Sequence, residues 1–194
     1  MFFSTVVENR KTATGAATLE HYITYMREHR AEAEELFQAL SVTYSQFFRD
    51  PLTFGFLQQT IFPTLVNRRQ GGELRIWSAG CAGGQEAYST AILLEEANAR
   101  AVTPIRYRIF ATDISTSALD IGRQGVYQED LVQNLTLRHA RDYFTRTGGM
   151  YSVAPQVRQH VDFLIYDLLD QTTAFPSQSI YGDFDLIFCS NLLF

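Results

Sequence analysis

The residues best suited to ligand binding follow two short apolar segments. The segment Leu74–Ala79 leads into a glycine-rich turn that starts at Gly80 and reaches Glu86, and the segment Tyr107–Thr112 ends at Asp113. Glycines let a ligand approach the backbone closely, and the start of a helix behind them attracts a carboxylate or a phosphate. An acidic side chain after the next strand can accept both hydroxyls of a ribose. The pattern predicts a ligand that contains adenosine.

The glycine turn narrows the choice of ligand. The run Gly80–Gly84 matches neither the dinucleotide pattern GxGxxG nor the P-loop pattern GxxxxGK[ST]. No lysine stands where it could bind a phosphate, so an adenosine ligand without phosphates, such as S-adenosylmethionine, fits better. The alternative interpretation is that the glycines only form a turn, that Asp113 only caps a helix, and that no ligand binds here.

A third apolar segment, 184–189, ends at Ser190 and Asn191. Ligands of open α/β sheets bind beyond the carboxyl ends of the strands, so we expect these residues to join the same crevice. The histidines and cysteines show no spacing typical of a metal site, which predicts that no metal is bound; they are His21, His29, His139, His160, Cys81 and Cys189.

The surrounding pattern predicts the elements that would hold these residues. Apolar spacings of three and four indicate helices in the first forty residues, and Pro51 suits the first turn of a further helix. Beyond it, strands and helices alternate, which predicts a parallel sheet with right-handed crossovers. The predicted elements are strand 74–79, helix 87–99, strand 107–112 and helix 115–121, with Ser115 as the cap of the last helix.

The domain organisation follows from these elements. We expect a helical domain and linker over 1–45 and an α/β, Rossmann-like domain over 46–194. An antiparallel β-subdomain is predicted at about 143–165, around Gly148-Gly149. The sheet is expected to be incomplete, as in a protein truncated at its carboxyl terminus, because the sequence stops four residues after Ser190.

Composition excludes several classes of protein. The 16 basic and 21 acidic side chains give a net charge of -5, which argues against nucleic-acid binding. No apolar run approaches the roughly 20 residues of a membrane span, which predicts no membrane insertion. The two cysteines are too few for a disulfide framework, so we expect a cytoplasmic protein.

Five ordered motifs resemble the chemotaxis receptor methyltransferases, from about residue 19 to the end. These motifs are Phe47-Phe48-Arg49-Asp50-Pro51, Leu74–Cys81, Ala111-Thr112-Asp113-Ile114, Tyr166–Asp170 and Phe184–Asn191. The resemblance implies a helical amino-terminal domain and a β-subdomain inserted in a catalytic sheet. It also implies methyl transfer from S-adenosylmethionine to glutamate carboxylates on cytoplasmic helices of chemoreceptor-like proteins, with S-adenosylhomocysteine as the product.

The resemblance also implies a set of cofactor contacts, with Arg49 as the catalytic residue that orients a carboxylate of the substrate or the cofactor. They are Thr43, Ser45, Arg49, Gly80, Glu86, Asp113, Asp167, Leu168, Ser190 and Asn191. Asp167 stands where the family usually has asparagine, and Ser190 where it often has arginine. These departures leave open a signalling module that binds S-adenosylmethionine without catalysis. A second alternative is an enzyme for another carboxylate. Replacing Arg138, Arg141 and Arg158 would distinguish it, because docking of the receptor helix on this segment predicts that helix binding then weakens.

Overall fold

The computed structural model describes residues 2–40, 45–69, 72–179 and 183–190. The chain divides into two compact units, Met1–Thr43 and Tyr44–Phe194. Each unit has its own internal packing, and the second contains the α/β elements.

The first unit consists of helices, as predicted: α1 (Phe2–Ala13), α2 (Leu19–Glu28) and α3 (Arg30–Leu40). Thr18 caps α2 by accepting a hydrogen bond from the His21 N–H. The buried Glu32 carboxylate joins the three helices, because it accepts hydrogen bonds from Tyr22 Oη at 2.7 Å and from the Arg10 guanidinium at 2.6 Å. Pairing with Arg10 keeps this buried charge compensated and lowers the pKa of Glu32.

The second unit is built on a four-stranded parallel sheet in the order β6-β2-β1-β7. The strands are β1 (Glu73–Ala79), β2 (Arg106–Asp113), β6 (Val161–Ile165) and β7 (Leu186–Phe188). The connecting helices are α6 (Gln85–Arg100) and α7 (Thr116–Gln124), and Ser115 caps α7 by accepting from the Ala118 N–H. The predicted alternation of strands and helices is confirmed.

A helical segment leads into this sheet through α4 (Pro51–Phe56), a π-helical turn (Leu57–Ile61) and α5 (Phe62–Arg68). Asp50 caps α4 by accepting hydrogen bonds from the Leu52 and Thr53 amides, and Pro51 occupies its first turn, as predicted. Just before the helix, Phe47 is fully buried and its N–H donates to the Leu131 carbonyl, which anchors the chain on the α/β unit.

A three-stranded antiparallel sheet lies between β2 and β6 in the sequence. It consists of β3 (Val126–Gln128), β4 (Phe144–Thr147) and β5 (Met150–Val153), with β5 in the middle. Two short helices, α8 (Leu137–Tyr143) and α9 (Pro155–Arg158), flank its hairpin. An antiparallel subdomain is therefore present, with the hairpin turn at Gly148-Gly149.

The predicted range of this subdomain, 143–165, is wrong at both ends. Its first strand begins at Val126, and Val161–Ile165 pairs in parallel with β2 as part of the main sheet. An apolar strand in either sheet has the same local pattern, so its partner was not predictable from the pattern alone. The three residues of β3 are likewise too few to give a periodic signal.

The two faces of the main sheet carry different layers. Ile76 and Ile109 face the larger core beneath α6, whereas Trp77 and Phe110 belong to a smaller cluster on the opposite face. Trp77 Nε1 donates to Thr112 Oγ1 at 2.9 Å, so the indole is both packed and hydrogen-bonded. Both layers hold the carboxyl ends of β1 and β2 in fixed register.

Candidate functional site

The carboxyl ends of the parallel strands collect most of the predicted site residues. Gly80 follows β1, Asp113 is the last residue of β2, and Ser190 follows β7. Asp167 and Leu168 follow β6. The structure thus brings the predicted residues to one edge of the sheet, where open α/β sheets bind their ligands.

The turn between β1 and α6 contains three residues in the left-handed region. Gly80, Ala82 and Gly84 have φ values of 66°, 48° and 86°, and Gly84 is the N-cap of α6. Glycine adopts this conformation without steric cost, but alanine does not. Ala82 is buried and is therefore a strained position within the candidate site.

Asp113 fixes the strained part of the turn. One carboxylate oxygen accepts a hydrogen bond from the Ala82 N–H at 2.8 Å, and the other accepts from the Ser115 N–H at 2.9 Å. A carboxylate has about four lone-pair positions, so Asp113 keeps acceptor capacity for the hydroxyls of a ribose. It can both order the turn and bind a ligand.

Glu86 places a second carboxylate in the first turn of α6. Its Oε1 accepts from Ser78 Oγ at 2.7 Å. Burial raises the pKa of Glu86, while hydrogen bonding from the hydroxyls of Ser190 and Ser78 acts in the opposite direction. Among the residues that the structure describes, no basic side chain forms an ion pair with this carboxylate. A buried carboxylate that has no basic partner favours a cationic ligand.

Two glycines enclose a phenylalanine behind the turn. A methyl group added to Gly84 or Gly122 would lie 2.6 Å or 2.3 Å from the Phe163 ring. The ring therefore sets the distance between the glycine turn, α7 and β6. Tyr127 supports the same turn from β3, because its hydroxyl donates to the Gly83 carbonyl at 2.7 Å.

The segment after β6 is held by aromatic packing. The Tyr166 ring packs edge-on against Trp77 with centroids 5.6 Å apart, and its hydroxyl donates to the Thr173 carbonyl at 2.7 Å. Asp167 and Leu168 follow it and are exposed, and Asp167 accepts a hydrogen bond from the Leu169 N–H. Both predicted residues are thus available to a ligand at the edge of the sheet.

The remaining predicted residues lie near the start of the second unit or outside the described residues. Ser45 is half-buried and Arg49 is exposed. Phe48, beside Arg49, has a left-handed φ of 50°, and its N–H donates to Ser89 Oγ on α6 at 3.0 Å. This bond fixes the backbone that carries Arg49. Thr43 and Asn191 lie outside the described residues.

Sequence reasoning missed the residues that support the site. Ser78 and Tyr127 hydrogen-bond to Glu86 and the turn, and Gly122 makes room for Phe163. A serine inside an apolar strand was a usable signal for Ser78, since a buried hydroxyl needs a partner. No local signal distinguished Gly122 or Tyr127, because their partners lie about 40 residues away in the sequence.

The described residues include no group of three or more histidine, cysteine or acidic side chains that could hold a metal ion.

The family model of the CheR methyltransferase SAM-binding domain matches residues 43–194. The chain belongs to the CheR methyltransferase family. The α/β fold is therefore that of a domain that binds S-adenosylmethionine as a methyl donor.

The chain is also similar to three relatives, two of which are named chemotaxis protein methyltransferases. The chain is 32% identical to the chemotaxis protein methyltransferase of Escherichia coli (strain K12) over 190 residues, which are 95% of this chain and 62% of that protein. It is 33% identical to chemotaxis protein methyltransferase 1 of Pseudomonas aeruginosa over 164 residues, 82% of this chain and 58% of that protein. An uncharacterized 104.1 kDa protein of Rhodobacter capsulatus is 31% identical over 188 residues, 96% of this chain and 19% of that protein.

This CheR-family chain thus spans less than two thirds of the length of these relatives. In the part of the chain that the structure describes, no helix is both long and apolar enough to cross a membrane.

The site fits S-adenosylmethionine in its charge and its hydrogen-bonding groups. That cofactor carries an amino group and a sulfonium, and the buried Glu86 has no basic partner among the described residues. It also carries a ribose, and Asp113 retains acceptor positions beside a glycine turn that admits close approach. Neither feature calls for a phosphate.

Proposed function

We propose that this chain belongs to a protein-glutamate O-methyltransferase, which forms methyl esters on cytoplasmic helices of chemoreceptor-like proteins and works in the cytoplasm. One observation carries the proposal. The carboxylates Glu86 and Asp113 flank a glycine turn at the ends of adjacent strands, in a chain of the CheR methyltransferase family.

Each residue of the proposed site acts through ordinary hydrogen bonding or charge. Asp113 accepts the ribose hydroxyls while it keeps the Ala82 amide in place, and Glu86 binds the cationic amino group. Asp167 and Leu168 contact the adenine, and Gly80 lets the cofactor approach the backbone. Ser45 and Ser190, with Thr43 and Asn191, complete the contacts.

The chemistry needs no general base from the protein. A bound S-adenosylmethionine supplies an electrophilic methyl group, and the product is S-adenosylhomocysteine. The substrate glutamate has an unperturbed pKa of about 4.3 and is already an anion at neutral pH. The task of the protein is therefore to align the carboxylate oxygen and to exclude water. Arg49 is the residue that we expect to orient a carboxylate at the site.

The cofactor step can be tested on this chain alone. We would titrate the 194-residue chain with S-adenosylhomocysteine by calorimetry and repeat this with Asp113→Asn and Glu86→Gln. Each lost charged hydrogen bond is expected to weaken binding by about tenfold or more. Asp142→Asn, an exposed acid on α8, is the matched control and should bind like the wild type. Unchanged affinity in both site variants would contradict the proposed pocket.

The reaction is tested with the full-length protein that contains this chain. We would incubate it with cofactor labelled in the methyl group and with receptor cytoplasmic fragments, and measure label that mild base releases as methanol. Base-labile label that disappears in receptor fragments with glutamine at the modified positions supports glutamate esterification. Cofactor binding without transfer would favour the non-catalytic module, and transfer to small carboxylates alone would favour another substrate.

A further inference from the structure

The residue before Arg49 is held in an unfavourable backbone conformation. Phe48 has a φ of 50°, in the left-handed region that bulky side chains rarely adopt. Its buried ring stacks on the His139 ring, with the centroids 4.7 Å apart, and packs edge-on against Phe54 at 5.3 Å. Conformations of this kind persist only where the surroundings impose them, and they concentrate at functional sites.

A hydrogen bond to the backbone is one of the contacts that impose this conformation. The Phe48 N–H donates to Ser89 Oγ at 3.0 Å, and Ser89 is fully buried on α6. The same hydroxyl donates its proton to the Gln85 carbonyl, one helical turn earlier, at 2.7 Å. A hydroxyl can make both bonds at once, whereas alanine would leave the buried Phe48 N–H without a partner.

Arg49 lies between two fixed points of the backbone. Phe48 is held by Ser89 on one side, and Asp50 on the other side caps α4 through its carboxylate. Without the bond to Ser89, Phe48 can relax to a negative φ, which redirects the chain that carries Arg49. The buried hydroxyl therefore decides where the arginine stands.

The helix that carries Ser89 also carries Glu86, the proposed ligand of the amino group. The two residues are three positions apart on α6, which is about 4.5 Å along the helix axis. Most residues of α6 are buried, so the helix is a firm support. One helix thus sets the Glu86 carboxylate directly and Arg49 through Phe48.

We propose that Ser89 is a positioning residue for methyl transfer, which holds Phe48 in its left-handed conformation and thereby sets the position of Arg49. The inference rests on the proposed function, in which Arg49 orients a carboxylate at the site. It deepens that function by assigning the alignment of the guanidinium to a buried hydroxyl on another element. Because the effect passes through Arg49, Ser89 should matter only while Arg49 is present.

The test measures methyl transfer by the full-length protein that contains this chain, with receptor cytoplasmic fragments as the acceptor. Ser89→Ala should lower kcat by about tenfold or more, because a misplaced reacting group loses at least this much rate. KM for the fragment should change by less than about threefold, since binding of the acceptor is not altered. Ser89→Cys, with a thiol that accepts only weakly, should act in the same direction if Ser89→Ala fails to fold.

Thr90 provides a matched control on the same helix. It is fully buried like Ser89, but within the part of the chain that the structure describes its Oγ1 has no hydrogen-bond partner. Thr90→Val removes only this unpartnered hydroxyl, so it should keep the kcat of the wild type. A loss in Thr90→Val as large as that in Ser89→Ala would contradict a specific role of Ser89.

The deciding comparison repeats Ser89→Ala in the Arg49→Ala background. A residue that acts through Arg49 has no further effect once Arg49 is replaced, whereas general damage lowers kcat by the same factor in both backgrounds. In the 194-residue chain, hydrogen exchange of the Phe48 amide should be about tenfold faster in Ser89→Ala than in the wild type.

The possible outcomes separate this inference from the proposed function. A further tenfold loss of kcat in the Arg49→Ala background, or unchanged exchange of the Phe48 amide, overturns the role of Ser89 and leaves the proposed function intact. A wild-type protein that transfers no label contradicts the proposed function, and this inference with it.

Discussion

The Asp113 carboxylate accepts a 2.8 Å hydrogen bond from the N–H of Ala82, a buried residue held at a φ of 48°. An acid on β2 thereby stabilises an unfavourable backbone conformation in the turn after β1. The same acid is the proposed ribose ligand, so ligand binding and the shape of the turn depend on one side chain.

Ala82→Gly should stabilise the α/β unit by about 0.5–1 kcal/mol. Left-handed alanine costs about 1–2 kcal/mol, and the extra freedom of glycine in the unfolded chain offsets part of the gain. Urea unfolding followed by the fluorescence of Trp77, the single tryptophan in the sequence, measures this unit. Ala101→Gly is the control, since Ala101 has a φ of -75° and should gain nothing. A destabilised Ala82→Gly variant would show that the turn adopts another conformation in solution.

Glu86→Gln should have opposite effects on stability and on cofactor affinity. Burial raises the pKa of Glu86, so the ionised form is favoured less in the folded than in the unfolded chain. The associated loss of stability grows as pH rises through the unfolded pKa and is complete above the folded pKa. The variant lacks this loss, so we expect it to unfold at higher urea than the wild type at pH 7 and to bind S-adenosylhomocysteine about tenfold more weakly.

The control for Glu86→Gln is Glu129→Gln, an exposed acid outside the site. It should leave both quantities unchanged within error. If Glu86→Gln lowers both the stability and the affinity, the Glu86 carboxylate stabilises the fold, which contradicts a buried carboxylate that destabilises the fold and binds the ligand.

The sequence predicted the parts of this site that local chemistry dictates. The glycine-rich turn that begins at Gly80, Asp113 at a strand end and the Ser115 cap all follow from neighbouring residues, and the structure has them. The assignment of Val161–Ile165 to the inserted subdomain failed because strand pairing is not encoded in the pattern of one strand. The strain at Ala82 was equally hidden, since alanine carries no turn signal.

Gly122→Ala should destabilise the α/β unit by about 1–3 kcal/mol. A methyl group at Gly122 would lie 2.3 Å from the Phe163 ring, and overpacking in a dense core forces side chains out of their preferred positions. Gly55→Ala is the matched control on α4, where an added methyl group meets nothing within 4 Å. That control should gain up to about 1 kcal/mol from helix propensity. Equal effects of both changes in Trp77-monitored unfolding would contradict the packing described for Phe163.

His139→Gln should flatten the dependence of stability on pH. The His139 ring stacks on the Phe48 ring, with the ring centroids 4.7 Å apart. The charged groups around it are Glu96, Arg138 and Asp142. Burial lowers the pKa of His139, outweighing the attraction of Glu96.

The sign of the effect follows from linkage. With a folded pKa below the unfolded value of about 6.5, the unfolded chain takes up the proton more readily, so stability is complete above pH 6.5 and falls as pH drops below it. One such group changes the free energy of unfolding by at most about 1.4 kcal/mol per pH unit. Urea unfolding from pH 7.5 to 5.0, monitored by Trp77, should show a shallower fall in His139→Gln than in the wild type. An unchanged slope in His139→Gln would mean that this imidazole is not held neutral by its burial.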